Sequence, residues 1–247
     1  MPVRTALVTG GMGGLGQAIV ASLNDAGVRI VVTVSVQNRH AQGWLEERRR
    51  SGLEVWAYPA DVSDFDSCDV AIKRIRAEVG PIDILVNNAG ITRDAKVRNM
   101  SRADWAEVLR TDLDSAFNVT QPLLADMIEK RWGRIINISS VNGQRGQIGQ
   151  ANYAAAKAGL HGFTMSLALE LARYEITVNT LTPGYFDTKM VAAVPKDVME
   201  KHILPQIPLG RLGRPEEVGA LAAFLASDAA GYITGANFAI NGGLHMQ

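Results

Sequence analysis

Three side chains near the middle of the chain have the types and the spacing for proton transfer. Ser140 stands just after the apolar run Arg134-Ile135-Ile136-Asn137-Ile138, and Tyr153-Ala154-Ala155-Ala156-Lys157 follows a Gly- and Gln-rich loop. Positions i and i+4 of a helix share a face, so the Tyr153 phenol and the Lys157 ammonium belong one turn apart. A free phenol, with pKa about 10, is a poor acid–base group at neutral pH. A cation beside it favours its ionised form and makes it a usable proton donor or acceptor. Ser140 would hold and polarise the oxygen of a substrate alcohol or carbonyl. Taken alone, the Tyr/Lys spacing describes a solvent-facing pair on an Ala-rich helix equally well, and the decision rests on what surrounds it.

The elements that would position these residues alternate regularly. Thr5–Thr9 is a short apolar strand, followed by Gly10-Gly11-Met12-Gly13-Gly14-Leu15-Gly16. A helix is expected over 17–26, with Leu15, Ile19, Leu23 and Ala26 at helical spacing and Gly27 as its C-cap. Val28–Val34 is a run of β-branched residues, as a parallel strand buried on both faces requires. A Gly-rich turn between a strand and a helix lets the backbone approach a pyrophosphate, which the helix N-terminus then attracts. Further strands are expected at Leu53–Tyr58, Ile82–Val86, Arg134–Ile138, Ile176–Leu181 and Phe238–Asn241. Helices are expected over 64–79, 101–130 (bent near Pro122), 152–173 and 216–226. Residues 185–210, with Pro195, Pro205, Pro208 and Gly210, read as an irregular, mobile flap. Alternating β and α predicts one doubly wound parallel α/β sheet over 1–247, with ligands at the carboxyl ends of its strands.

Composition removes several function classes. Twenty-five basic and 25 acidic residues cancel, so charge gives no reason to expect a nucleic acid or an anionic membrane as partner. No apolar run approaches the roughly 20 residues of a membrane span, and no targeting segment is expected before Thr5. One cysteine, Cys68, excludes an internal disulfide and fits a reducing cytoplasm. The four histidines lie far apart without ligand spacing, so no metal site is expected. The stretch after the second strand, Ser35-Val36-Gln37-Asn38-Arg39-His40, has no carboxylate for a ribose 2′-hydroxyl. Ser35 and Arg39 instead suit a 2′-phosphate, which points to NADPH over NADH, with NAD as the other possible cofactor.

In order along the chain, Thr9-Gly10-x-x-x-Gly14-x-Gly16, Asp61-Val62, Asn87-Asn88-Ala89-Gly90, Ser140, Tyr153-x-x-x-Lys157 and Pro183-Gly184 resemble the short-chain dehydrogenase/reductase family over essentially the whole length. The resemblance implies a single-domain Rossmann-type fold with helices on both faces, a nicotinamide dinucleotide, and hydride transfer to a carbonyl. It implies that Tyr153 is the general acid, that Lys157 supports it and holds the nicotinamide ribose, and that Ser140 orients the carbonyl. Asp61 and Val62 would flank the adenine. Asn88, Ala89 and Gly90 would support the cofactor at the central strand, beside Pro183 and Gly184.

The stretches 88–94, 137–144, 157–165 and 241–246 resemble family members that reduce 3-oxoacyl thioesters. That implies an acyl-CoA substrate in a channel lined by Asp94, Gln150 and Tyr185, with Gln147 and Ile148 in the same loop. A thioester on acyl carrier protein is the alternative; Arg93, Arg98, Arg102, Arg131 and Arg145 are candidates for a basic rim that would meet it, and equally for groups that would meet the phosphates of CoA. A cofactor-binding regulator without catalysis is a third reading, disfavoured by the intact Ser140, Tyr153 and Lys157. The resemblance further implies a homotetramer built on helices 101–130 and 152–173. Asp112 departs from the family, which usually has Asn there, holding a water beside the catalytic Lys. An ionised Asp112 would oppose a Tyr153 phenolate.

Overall fold

The computed structural model describes residues 3–192 and 194–246. Seven strands form one parallel sheet: β1 (Thr5–Thr9), β2 (Arg29–Val34), β3 (Val55–Pro59), β4 (Ile84–Asn87), β5 (Gly133–Ile138), β6 (Ile176–Pro183) and β7 (Asn237–Ile240). Their spatial order is β3-β2-β1-β4-β5-β6-β7. From β1 the chain winds outward through β2 and β3, then returns to β4 on the other side. This reversal between β1 and β4 opens a crevice at their carboxyl ends.

The apolar runs of the sequence divide between two cores because successive strand residues face opposite sides. Ala6, Val8, Ile30, Val32, Ile84, Val86, Ile136 and Ile138 pack on one face. There they meet Ile19, Val20 and Leu23 of helix α1 (Gly14–Asp25) and Trp44 and Leu45 of α2 (Ala41–Arg50). Leu7, Val31, Leu85, Ile135 and Val178 face the other way, against Cys68, Ile72 and Ile75 of α3 (Phe65–Glu78). On that side the chain continues through α4 (Arg102–Leu109), a π-helical turn (Arg110–Asp114), α5 (Ser115–Thr120), a 3₁₀ turn with Pro122, and α6 (Leu124–Lys130). After β5 come α7 (Val141–Arg145) and the long α8 (Ala151–Leu171), which packs Leu167 and Leu171 into the second core.

Several expectations are corrected. Helix α1 starts at Gly14, so Gly14, Leu15 and Gly16 form its first turn. Its end is as expected: Gly27 has φ +78°, and the Gly27 and Val28 N–H groups donate to Asn24 and Leu23 carbonyls at 2.8 and 3.0 Å, a Schellman closure. Helix α2 has no counterpart in the sequence reading, because only Trp44 and Leu45 of its ten residues are buried and its apolar period is faint. The 101–130 stretch is interrupted at Pro122 by the 3₁₀ turn Gln121–Leu123 and is also broken by the π turn. Residues 185–210 are not irregular: they contain the single turns α9 (Lys189–Ala192) and α10 (Lys196–Val198), then a π turn (Met199–Ile203) and a 3₁₀ turn (Leu204–Gln206). Pro195 and Pro205 stand at turn starts, where the missing N–H costs nothing. Ala193 of this segment lies outside the described residues, as do Met1, Pro2 and Gln247 of the 1–247 domain.

The last helix, α11 (Pro215–Ala226), lies against α1 and holds it on the sheet. Gly219 is the point of closest approach: a methyl group there would stand 2.6 Å from the Ala18 carbonyl oxygen and would collide with Ser22 Oγ. Gly219→Ala gains roughly 1 kcal/mol of helix propensity but overpacks this contact. We expect a net loss of about 1–2 kcal/mol in urea unfolding, with weaker cofactor binding because α1 carries the Gly-rich turn. A midpoint at or above wild type would show that the two helices do not need this approach.

Candidate active site

The Gly-rich turn is tied to the central strands by side chains as well as by the sheet. Thr9 Oγ1 accepts the N–H groups of Asn88 and Ala89 at 2.9 and 3.0 Å. Asn88 Nδ2 donates back to the Thr9 and Gly10 carbonyls at 2.9 and 3.2 Å. The carboxyl ends of β1 and β4 are therefore locked together at the reversal point. Gly10 takes φ +61°, open at low cost only to glycine. A Cβ on Gly16 would lie 2.5 Å from the Gly10 carbonyl oxygen, so α1 can sit this close only without a side chain there. Gly13 caps α1 with no side-chain hydrogen bond. The first-turn N–H groups are left for an anion, which suits a pyrophosphate.

These groups open onto a cleft of about 690 Å³. Its wall contains Gly10, Met12, Gly13, Gly14, Leu15, Gly16, Ser35, Asp61, Val62, Asn88, Ala89, Gly90, Ser140, Tyr153, Lys157, Pro183 and Gly184, all expected from the sequence. It also contains residues the sequence reading missed, among them Asn38, Ile91, Thr92, Phe186, Thr188 and Val191. Thr188 packs on the Gly-rich turn, where a Cβ on Gly14 would come within 3.0 Å of it. The only sequence signal for Phe186 and Thr188 is their nearness to Pro183-Gly184. Arg39 is exposed and outside the wall, which Asn38 lines one position earlier. A nicotinamide dinucleotide fits this cleft: bare backbone at one end, no acidic side chain at the end of β2, and hydroxyl groups at the other end.

The reactive groups converge from three elements. β5 delivers Ser139 and Ser140 at its carboxyl end. Ser140 caps α7, its Oγ accepting the Asn142 N–H at 3.2 Å, so the hydroxyl proton remains available to the cleft. Buried Ser139 holds α8 in place: its Oγ donates to the Lys157 carbonyl at 2.8 Å and lies 3.1 Å from His161 Nε2. With the Oγ proton given to Lys157, the imidazole is assigned as the donor in that second contact. Burial lowers the His161 pKa, which keeps the ring neutral. Asn152, fully buried, positions the start of α8: it accepts the Tyr153 N–H at 2.8 Å and donates to the Arg93 carbonyl at 3.1 Å. It too was missed, because it stands two residues past the N-cap, where Asn carries no capping signal.

Tyr153 and Lys157 do lie one turn apart, with Nζ 5.6 Å from the phenol ring centre. Lys157 Nζ, buried, donates to the Ile138 carbonyl at 3.1 Å. It lies 3.3 Å from Asp112 Oδ2, an ion-pair distance. That oxygen has no hydrogen bond of good geometry, so the contact is best described as an ion pair. Asp112 stands behind Lys157, outside the cleft wall. Burial raises its pKa, and Lys157 and the Ile91 N–H partly offset the rise.

The substrate-side expectations divide. Asp94 and Gln150 are brought together: Gln150 Nε2 donates to Asp94 Oδ2 at 2.9 Å and Gln150 Oε1 accepts from Asn142 Nδ2 at 2.9 Å. This chain of amides runs beside Ser140 rather than in the cleft wall. Gln147 and Ile148 are not brought to it; both are exposed, Ile148 84% so, at the tip of the loop. Tyr185 is half-buried and outside the wall, where Phe186 stands instead. The basic rim is also smaller than expected. Arg93 is held by both oxygens of Glu107, at 2.9 and 2.8 Å. Arg131 lies at the amino end of β5, the far side of the sheet, bonded to the Arg173 carbonyl. Arg145 reaches across to Gln206 at 3.1 Å, and Arg98 and Arg102 are exposed.

A family described as Enoyl-(Acyl carrier protein) reductase matches residues 10–245. Acetoacetyl-CoA reductase of Cupriavidus necator is 50% identical over 246 residues, covering 100% of both chains. That of Allochromatium vinosum is 50% identical over 99% of each chain. The 3-oxoacyl-[acyl-carrier-protein] reductase of Pseudomonas aeruginosa is 43% identical over 99% of this chain and 98% of its own. With end-to-end identity of this size, a Gly-rich turn locked at the β1/β4 reversal and a Ser–Tyr–Lys set in one cleft, the chain belongs to the short-chain dehydrogenase/reductase family.

Proposed function

We propose that this protein reduces acetoacetyl-CoA to (R)-3-hydroxybutyryl-CoA with NADPH, in the cytoplasm, as a supply step for polyhydroxybutyrate synthesis. The observation that carries the reading is the placement of Ser140, Tyr153 and Lys157 in the same cleft as the Gly-rich turn. Relatives about half identical along their whole length bear the name acetoacetyl-CoA reductase, which supports the substrate. When bound, the dinucleotide supplies the hydride that adds to the carbonyl carbon. Ser140 donates its free hydroxyl proton in a hydrogen bond to the carbonyl oxygen. Tyr153 gives its proton to that oxygen as negative charge develops there, leaving a secondary alcohol. Lys157 offsets the charge left on the phenol and would hold the cofactor ribose. Asp94 and Gln150, joined to Asn142, form the polar edge against which the thioester arm lies, with Gln147, Ile148 and Tyr185 farther out.

A thioester carried on acyl carrier protein is the second reading, favoured by the Pseudomonas relative. An acidic carrier needs a basic rim. With Arg93 paired and Arg131 on the far side, that rim shrinks to Arg98, Arg102 and Arg145, which favours the coenzyme A thioester. The homotetramer is proposed on the apolar surface that α4, α5 and α8 leave exposed: Trp105, Phe117, Met165 and Leu169, the last 84% exposed. At the C-terminal edge, Tyr232 and Met246 are exposed too.

Tyr153→Phe should lower kcat by several orders of magnitude while NADPH still binds by fluorescence titration, and near-normal turnover would refute the acid assignment. In one assay with both thioesters and both cofactors, kcat/KM should favour acetoacetyl-CoA over the carrier-protein form. It should also favour NADPH over NADH by about 10–100-fold, the worth of a charge-assisted bond, and Arg39→Ala should narrow that gap. A preference for the carrier, or equal use of NADH, would overturn the corresponding half of the proposal. Light scattering should give a mass of four chains, and a monomer at micromolar concentration would remove the tetramer.

A further inference from the structure

We propose that Asp112 is the buried counter-ion of Lys157, and that its negative charge, acting through that ammonium, sets the pH range over which Tyr153 keeps its proton. Asp112 is a positioning residue in this scheme, and the proposal rests on the reading of Tyr153 as the proton donor.

The geometry leaves Asp112 little freedom. Its side chain is fully buried, and Oδ1 accepts the Ile91 N–H at 2.8 Å. Oδ2 points at Lys157 Nζ, 3.3 Å away, and has no hydrogen-bond donor of its own. The residue sits in the π-helical turn Arg110–Asp114, a local widening of the helix that is common at functional sites. Gly90 makes the pair possible, because a Cβ there would stand 2.6 Å from Oδ2 and 3.2 Å from Nζ. Ion pair and glycine are therefore one arrangement, and a larger residue at 90 would pry the charges apart.

The electrostatic surroundings are simple. Among the described residues, Lys157, from α8, is the one charged side chain acting on Asp112, and Tyr153 is the titratable neighbour on the same helix. The loop after β4 brings only the main chain of Gly90 and Ile91 to the carboxyl group, and β5 brings only the Ile138 carbonyl to the ammonium. On its own turn, Arg110 and Asp114 face solvent. An ammonium facing a phenol favours the phenolate, and a carboxylate on the far side of that ammonium cancels part of its field. With Asp112 ionised, Tyr153 therefore keeps its proton to higher pH than with a neutral residue of the same shape. Reduction consumes that proton, so activity extends further into alkaline pH.

The test compares Asp112→Asn, neutral and of the same shape so that its Oδ1 can accept the Ile91 N–H, with Asp112→Ser, neutral and shorter. The expected result is that the alkaline limb of kcat for reduction and the acidic limb of kcat for alcohol oxidation both move to lower pH. The shift should be about one pH unit, the order expected of one partly screened charge two side chains away. Limbs that stay in place or move upward overturn the proposal. So does a loss of turnover at every pH with unmoved limbs, since that is what a purely structural role gives. Tyrosinate absorbance titration, read as the difference between each protein and its Tyr153→Phe partner, follows the same ionisation without substrate. Should no thioester prove to be a substrate, the functional reading fails while this titration still decides the proposal.

Discussion

A lysine ammonium buried at the carboxyl end of a parallel sheet must be compensated, because desolvating a charge without partners costs several kcal/mol. Lys157 meets that requirement with the Ile138 carbonyl and the Asp112 carboxylate. The first comes from β5 and the second from the π turn between α4 and α5, while Lys157 itself rides on α8. Three separately folded elements have to converge within hydrogen-bond distance of one nitrogen. Gly90 on a fourth must have no side chain in the way. Much of the site's rigidity follows from this convergence, since Ser140 and Tyr153 are held by the same β5 and α8.

The sheet supplies the convergence at low cost in chain. Each strand delivers its reactive residues at its carboxyl end, and the reversal between β1 and β4 leaves a gap there that no crossover helix fills. Thr9 and Asn88 close the bottom of this gap with four hydrogen bonds in which hydroxyl, amide and main chain satisfy one another. Asn88, expected to support a cofactor, acts first on the turn that would hold it. Outside the gap, Asn152 and Ser139 are uncharged residues with no reactive role, yet they set where Tyr153 and Lys157 stand.

The cofactor half of the cleft and the substrate half differ in how they are built. The first is main chain and glycine, presented by strand ends whose register is fixed by the sheet. The second is side chains on loops and on the short helical turns after β6, anchored where Phe186 and Gly213 form a bridge. Backbone recognition leaves a sequence signature of glycines at set spacings. Side-chain recognition on loops leaves none, which is why Phe186, Thr188 and Val191 were not expected in the wall.

What the amino-acid sequence determined by itself was everything that depends on near neighbours. The two-sided apolar runs specify strands buried on both faces, Gly27 closes α1, the Gly-rich stretch forms a turn before a helix, and Tyr153 and Lys157 share a helical face. The tertiary structure alone decided the pairings between distant segments. Asn88 bonds to Thr9 across 79 positions and Gln150 to Asp94 across 56. The same is true of the π turn that aims Asp112 at Lys157, of the helical turns in 185–210, and of the removal of Arg131 to the far side of the sheet. Helix α2 belongs with these, for it is held by the core contacts of Trp44 and Leu45 rather than by its own pattern. The physical reason is common to all of them. Periodicity and turn chemistry act over one or two turns of chain, whereas a buried charge or amide finds its partner only after strand register and helix crossing have set which segments meet.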